Sequence, residues 1–165
     1  MQTTPTADPA TETVQARLAL QAQFRNGANW FFWIAGMSLV NTLVVLFGGH
    51  WGFVIGLGVT QVIDAVLLQG DGSAASRLAG PLITAVVASM FIAFGYFARQ
   101  GRRAAFIAGI TLYVLDSLIF LFAVDVLGIA LHAFALYCLV KGLRAKDQLD
   151  RLPTSRPAPV GLRTA

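Results

Sequence analysis

The stretch from Ala104 to Leu143 constrains this chain most, because about forty residues pass with almost no charge. Before Lys141, only Asp116, Asp125 and His132 can carry a charge within it. One membrane-spanning helix needs about 20 apolar residues, so the stretch is long enough for two. We therefore predict two transmembrane helices that are separated near Asp125.

Composition supports a membrane protein throughout. The 165 residues are 56% hydrophobic and only 12% charged, whereas soluble proteins average about 25% charged residues. The basic residues lie between and beyond apolar runs, a pattern typical of membrane topology and unlike the clustered basic face of a nucleic-acid-binding protein. The single cysteine, Cys138, excludes an internal disulfide and a dithiol site. The predicted partner is the lipid bilayer, with no nucleic acid.

The apolar runs predict an all-α polytopic transmembrane bundle of five spans. The spans are expected near residues 28–48, 51–69, 80–98, 104–123 and 126–143, within a transmembrane domain of residues 27–146. Residues 1–26 are predicted to be disordered at first and then to form an interfacial or solvated helical segment. Residues 147–165 are predicted to be a disordered tail. Four spans remain the alternative if one apolar run is re-entrant.

Basic residues predict the orientation of the five-span bundle. The Arg99–Arg103 turn and the Lys141–Lys146 segment fall on one side under this count, so the positive-inside rule places both in the cytoplasm. The N-terminus would then lie outside and the C-terminus in the cytoplasm. Three arginines oppose this orientation: Arg17, Arg25 and Arg77.

The first two and last two predicted spans resemble each other. Residues 25–27 match residues 99–101, and Asn41-Thr42-Leu43 matches Asp116-Ser117-Leu118. With one span between the pairs, the second copy would be inverted, as in many transporters. The alternative is that any two apolar hairpins look alike.

Polar residues inside the spans form the candidate site. Three of them, Asp64, Asp116 and His132, lie roughly 8–11 Å from one predicted membrane surface, as estimated from the helix rise. Asp116 and His132 occupy adjacent antiparallel helices, so we expect them to share a proton or an ion pair. Asn41 is expected nearer the opposite side. The full candidate set is Asn41, Gln61, Asp64, Tyr113, Asp116 and His132.

These polar residues admit three interpretations: bonds that hold helices together, a ligand, ion or proton site, and catalysis. No His-x-x-x-His spacing predicts a metal site and no Gly-x-Ser-x-Gly motif predicts a hydrolase, so we predict neither metal nor cofactor. A structural or accessory membrane protein is therefore favoured, alone, as a homo-oligomer or within a membrane complex. The alternatives are a small carrier or channel, and a membrane enzyme or lipid-binding protein.

Three segments carry a family resemblance. The chain resembles small polytopic bacterial membrane proteins of no assigned function in three segments. They are GANWFFWIAG at 27–36, GLGVTQVIDA at 56–65 and LYVLDSLIFLF…LHAFAL within 112–136. The likeness covers residues 24 to 143. It implies a location in the bacterial plasma (inner) membrane and brings with it no activity and no site residue.

Overall fold

The chain is helical wherever its structure is described. The computed structural model describes residues 9–47, 57–68, 74–122 and 125–153, and these ranges contain helices and no strand. The helices are α1 (Pro9–Leu46), α2 (Gly58–Leu68), α3 (Ala74–Arg99), α4 (Arg103–Phe122) and α5 (Val126–Arg151).

Three helices in the described part of the chain are long and apolar enough to cross a membrane. They are Leu78–Arg99, Arg103–Phe122 and Val126–Arg151. The prediction of an all-α transmembrane bundle is confirmed to this extent, whereas a count of five spans is not. The break predicted near Asp125 matches the start of α5, where the Asp125 side chain accepts a hydrogen bond from the Gly128 N–H at 3.1 Å.

The long helix α1 packs mainly against α3 and α5 and runs antiparallel to both. Helix α4 is antiparallel to α5, so α1 and α4 point in the same direction. Two contacts per helix pair set these directions. Thr42–Thr84 and Phe32–Gly95 join α1 to α3, and Gln23–Lys141 and Trp30–Phe134 join α1 to α5. Arg103–Asp147 and Asp116–His132 join α4 to α5.

Both ends of the described chain therefore lie at one end of the bundle, which we call the basic end. The Arg17 guanidinium donates to the Pro153 carbonyl there, and the turn at Gly101 lies against Lys146. The predicted placement of the two termini on opposite sides is wrong for these described ends. The reason is that α2 does not add a fifth full crossing.

Helix α2 has 11 residues and is about 16 Å long, half the hydrocarbon thickness of a bilayer. It begins beside Ser38, about 12 Å inward from the end of α1. The predicted continuous span 51–69 is therefore wrong, because Leu57 is not helical and the helix begins at Gly58. Residues 51–56 lie outside the described residues.

Several other helix limits differ from the prediction. Helix α1 begins at Pro9 and α5 continues to Arg151, so residues 9–12 and 147–151 are helical and not disordered. At the basic end, α1 and α5 pack on each other, and this contact stabilises the helical parts that extend beyond the apolar sequence. Helix α3 begins at Ala74, six residues before the predicted span 80–98, and Pro81 lies inside it. The predicted tail 154–165 lies outside the described residues.

The described helices do not have the arrangement that the predicted inverted repeat requires. An inverted copy would make α4 antiparallel to α1, whereas the two run the same way. In addition, α2 has less than half the residues of its predicted counterpart α5, 11 against 26.

A close glycine contact fixes the spacing of α1 and α5. A Cβ atom added at Gly142 would lie 2.6 Å from the Gly27 Cα, which is backbone and cannot turn aside. Close approach of this kind is how helices in lipid gain packing energy. Beside it, an aromatic cluster of Phe31, Phe91 and Phe106 fills the core.

We expect Gly142→Ala to force α1 and α5 apart and to lower the free energy of unfolding by about 1–3 kcal/mol. Gly36→Ala on exposed α1 surface is the matched control, because its added methyl group meets no atom within 4 Å. Thermal melting in detergent measures both. Equal melting temperatures for the two variants would contradict the glycine contact.

The shared end of the chain termini predicts a labelling pattern. In a variant whose native Cys138 is replaced by serine, single cysteines at Gln15, Gln100 and Gln148 should all respond alike to a membrane-impermeant thiol reagent in intact cells. All three positions are exposed and lie at the basic end. Labelling of Gln15→Cys without labelling of Gln148→Cys would restore the five-span topology.

Candidate functional site

Seven buried polar side chains lie in the half of the bundle away from the basic end and form what we call the polar layer. They come from all five helices. Its members are Ser38, Asn41 and Thr42 on α1, Thr60 on α2, Thr84 on α3, Asp116 on α4 and His132 on α5.

The layer is built around the N-terminus of α2, which begins inside the bundle. The Gly58 N–H donates to Asp116 Oδ2 at 2.8 Å, and the Val59 N–H donates to Asp116 Oδ1 at 2.9 Å. The Leu57 N–H donates to Ser38 Oγ at 2.8 Å. A helix leaves four N–H groups unpaired at its start, and α2 receives partners for three of them from two other helices.

The fourth donor is satisfied locally. The Thr60 N–H reaches the Leu57 carbonyl at 3.2 Å, and the Thr60 hydroxyl donates to the same oxygen at 2.7 Å. Since no water is available in a bilayer to bond exposed backbone, a helix can start at this depth only with such a complete set of partners. The negative carboxylate at the positive end of the α2 dipole adds to the stabilisation.

The threonine and serine hydroxyls tie α1 to its neighbours. Ser38 donates to the Ile34 carbonyl at 2.9 Å, which leaves its oxygen lone pairs directed to Leu57. Thr42 donates to the Thr84 hydroxyl at 3.1 Å and joins α1 to α3. Each interhelical bond of this type contributes about 0.6 to 2 kcal/mol in a membrane.

His132 faces the carboxylate of Asp116 from α5. Its Nδ1 lies 2.8 Å from the Gly128 carbonyl, which can only accept, so Nδ1 carries a hydrogen. Its Nε2 lies 3.5 Å from Asp116 Oδ2 and forms no aligned hydrogen bond. A lone pair on Nε2 would repel the Asp116 carboxylate. The imidazole and the carboxylate therefore attract each other only when one proton is shared between them.

Aromatic rings enclose the imidazole. Tyr113 stacks on His132 with ring centroids 5.0 Å apart and an angle of 17°, and Phe120 lies 4.2 Å away. Tyr113, Asp116 and Phe120 are three and four residues apart on α4 and so share one face. The side chains of Asp116 and His132 are only 5% and 1% exposed. The pair is therefore buried.

A glycine permits the close approach of α2. A Cβ atom added at Gly58 would lie 2.5 Å from the Phe120 ring, which is itself held against His132. A larger residue at position 58 would push the first turn of α2 away from Asp116. Gly128 meets the other side of the same ring.

The structure brings some of the predicted residues together and separates others. Asp116 and His132 meet, as their depths suggested, and Tyr113 packs on His132 by its ring while its hydroxyl bonds to no described residue. Gln61 lies in the first turns of α2, and its N–H donates to the Leu57 carbonyl at 3.4 Å.

Two members of the predicted set stand apart. Asp64 lies on α2, but its side chain falls outside the described residues, so its predicted place in one layer with Asp116 and His132 stays a prediction. Asn41 was expected nearer the opposite side, and this expectation is wrong. Because α1 and α4 run in the same direction, Asn41 is buried in the same half of the bundle as Asp116.

Four hydroxyl residues of the polar layer were not predicted: Ser38, Thr42, Thr60 and Thr84. The spacing of Ser38, Asn41 and Thr42 on one face of α1 was an available signal. Among the described residues, no group of three His, Cys, Asp or Glu side chains is placed to hold a metal ion.

A cavity of about 320 Å³ adjoins Asp116, and His132 is not among its lining residues. Apolar residues line most of it, among them Leu57, Met90 and Leu115. It is large enough for a small ligand.

We expect Asp116→Ala to cost about 3–5 kcal/mol of unfolding free energy, because it strands two N–H groups of α2 and the partner histidine. Asp150→Ala is the control, since its ion pair with Lys146 is exposed and should contribute about 1 kcal/mol or less. Urea or thermal unfolding in detergent gives both values. A loss at Asp116 no larger than that at Asp150 would show that the carboxylate does not hold α2.

Comparison with known proteins gives no functional assignment. No protein-family model, no curated protein and no solved structure matches this chain.

Proposed function

We propose that this chain is a structural or accessory integral membrane protein whose polar layer holds a half-length helix within the bundle. One observation supports this proposal most directly. Both carboxylate oxygens of Asp116 accept hydrogen bonds from the N-terminus of α2, and the side chain is only 5% exposed. Both oxygens of the Asp116 carboxylate therefore bind the protein's own backbone.

The arrangement argues against transport at Asp116. Transporters that contain broken helices direct free N-terminal N–H groups at a substrate anion. In this chain the corresponding groups of Gly58 and Val59 are taken by the protein's own carboxylate. A substrate would have to displace Asp116 and leave a buried charge behind.

For topology, we propose four crossings by α1, α3, α4 and α5, with α2 as a re-entrant helix. Helix α1 is about 57 Å long, enough to cross the bilayer and extend beyond it. The basic end carries nine of the chain's twelve Lys and Arg residues: Arg17, Arg25, Arg99, Arg102, Arg103, Lys141, Arg144, Lys146 and Arg151.

The positive-inside rule then places the basic end in the cytoplasm. Both the N-terminal part of α1 and the C-terminal part of α5 would be cytoplasmic, in place of the N-terminus outside that the five-span count favoured. We also propose the bacterial plasma (inner) membrane as the location. This location is supported by the resemblance to small bacterial membrane proteins, and that resemblance stays a prediction.

A carrier is the second candidate, because the cavity of about 320 Å³ touches Asp116. Movement of the shared proton between Asp116 and His132 would release the start of α2, and the cavity would give a small ion or proton access to it. The two candidates differ in one measurable property, which is ion flux across a membrane.

The structural proposal predicts that vesicles containing the purified protein are no more permeable to protons than empty vesicles. A pH-sensitive dye inside the vesicles, with an imposed pH gradient, measures the flux. Asp116→Asn should leave this background unchanged.

A proton flux that is present in the wild type, lost in Asp116→Asn and retained in Asp150→Asn would establish the carrier instead. Asp150 is the control because its exposed ion pair with Lys146 lies outside the polar layer. Circular dichroism of each reconstituted variant shows that loss of flux is not loss of folding.

A further inference from the structure

The surface of α1 near the basic end carries two adjoining cavities. The larger, about 550 Å³, lies between α1 and α5 and includes Asn26, Tyr137 and Lys141 in its lining. The smaller, about 330 Å³, lies between α1 and α3 and includes Arg99. Asn29 and Trp33 line both cavities, so the two lie side by side on α1, and we call them together the groove.

The groove has one cation on each side of α1. The Lys141 ammonium lies 5.8 Å from the centre of the Tyr137 ring, and the Arg99 guanidinium lies 5.4 Å from the centre of the Phe32 ring. Within the described part of the chain, neither cation pairs with a carboxylate. The nearby ion pairs instead use Arg103 and Lys146.

Charge and depth together point to the ligand. Lys141 lies about 7 Å further into the bundle than Lys146, which packs against the turn at Gly101. Tyr137, about one turn further inward, is 60% exposed, as expected for an aromatic residue near the headgroup level of a bilayer. Trp33 is 63% exposed and lies about 15 Å further inward on α1 than Gln23, which contacts Lys141. A cation at this depth faces lipid headgroups and not free solvent.

The walls of the groove are both polar and apolar. Asn26 and Asn29 supply amide groups beside Lys141, and the T-shaped pair of Trp30 and Phe134, with centroids 5.4 Å apart, forms part of the apolar wall. The hydrogen bond from Gln23 to the Lys141 carbonyl at 3.4 Å holds the outer part of the two helices together.

We propose that this groove binds an acidic phospholipid of the leaflet at the basic end. The lipid phosphate is held by Lys141, with the asparagine amides as further donors, and an acyl chain lies on the exposed face of Trp33. A pocket between helices that combines cations with apolar walls matches this class of ligand. The site is independent of the polar layer and of any flux through it.

The test uses the full chain with Trp51→Phe, so that Trp30 and Trp33 supply the fluorescence. Brominated phosphatidylglycerol or brominated phosphatidylcholine is titrated into the protein in detergent, and bromine quenches only nearby tryptophan. We expect phosphatidylglycerol to quench at about fivefold lower concentration, the preference expected for one cation near an anionic lipid.

Lys141→Gln should abolish most of this preference, and Lys141→Arg should retain it. Lys146→Gln is the matched control, because it removes one positive charge at the same end but outside the groove. Equal quenching by the two lipids in the wild type would overturn the proposal. So would a loss in Lys146→Gln as large as that in Lys141→Gln, because the preference would then be a general effect of surface charge.

Discussion

The fold depends on the pairing of the Asp116 carboxylate with the first turn of α2. A helix that begins inside a membrane exposes several N–H groups where no water can bond them, and each unsatisfied group is costly. Asp116 accepts from two of these groups, and Ser38 accepts from a third. Without these acceptors, a helix that starts at Gly58 would leave the N–H groups of its first turn unpaired. With them, an 11-residue helix is stable at half the membrane's depth.

This one helix decides the topology of the whole chain. The described part of α2 crosses only half of the bundle, and both described ends of the chain meet at the basic end, where Arg17 contacts Pro153. In the functions that we propose, the chain separates two roles in space. The buried polar layer serves architecture, and the cations at the basic end contact the headgroups of one leaflet.

Much of this could be read from the sequence, and the rest could not for physical reasons. The long apolar runs and the polar break at Asp125 were sufficient for α4 and α5, and helix rise alone brought Asp116 and His132 to one depth. The half-length of α2 was hidden, since residues 51–59 contain no polar residue that would mark a break before Gly58, and the acceptor for the Gly58 N–H lies 58 positions away. That error placed the two described ends of the chain at opposite ends of the bundle and Asn41 in the wrong half of it.

Hydrogen exchange measured by mass spectrometry tests the central interaction most directly. Peptides that contain residues 57–61 should exchange slowly in the wild-type protein in detergent, because Ser38, Asp116 and Leu57 occupy their N–H groups. In Asp116→Asn, exchange should accelerate in these peptides and stay unchanged in α3 and at the basic end. Fast exchange of residues 57–61 in the wild type, or no change on substitution, would contradict the account.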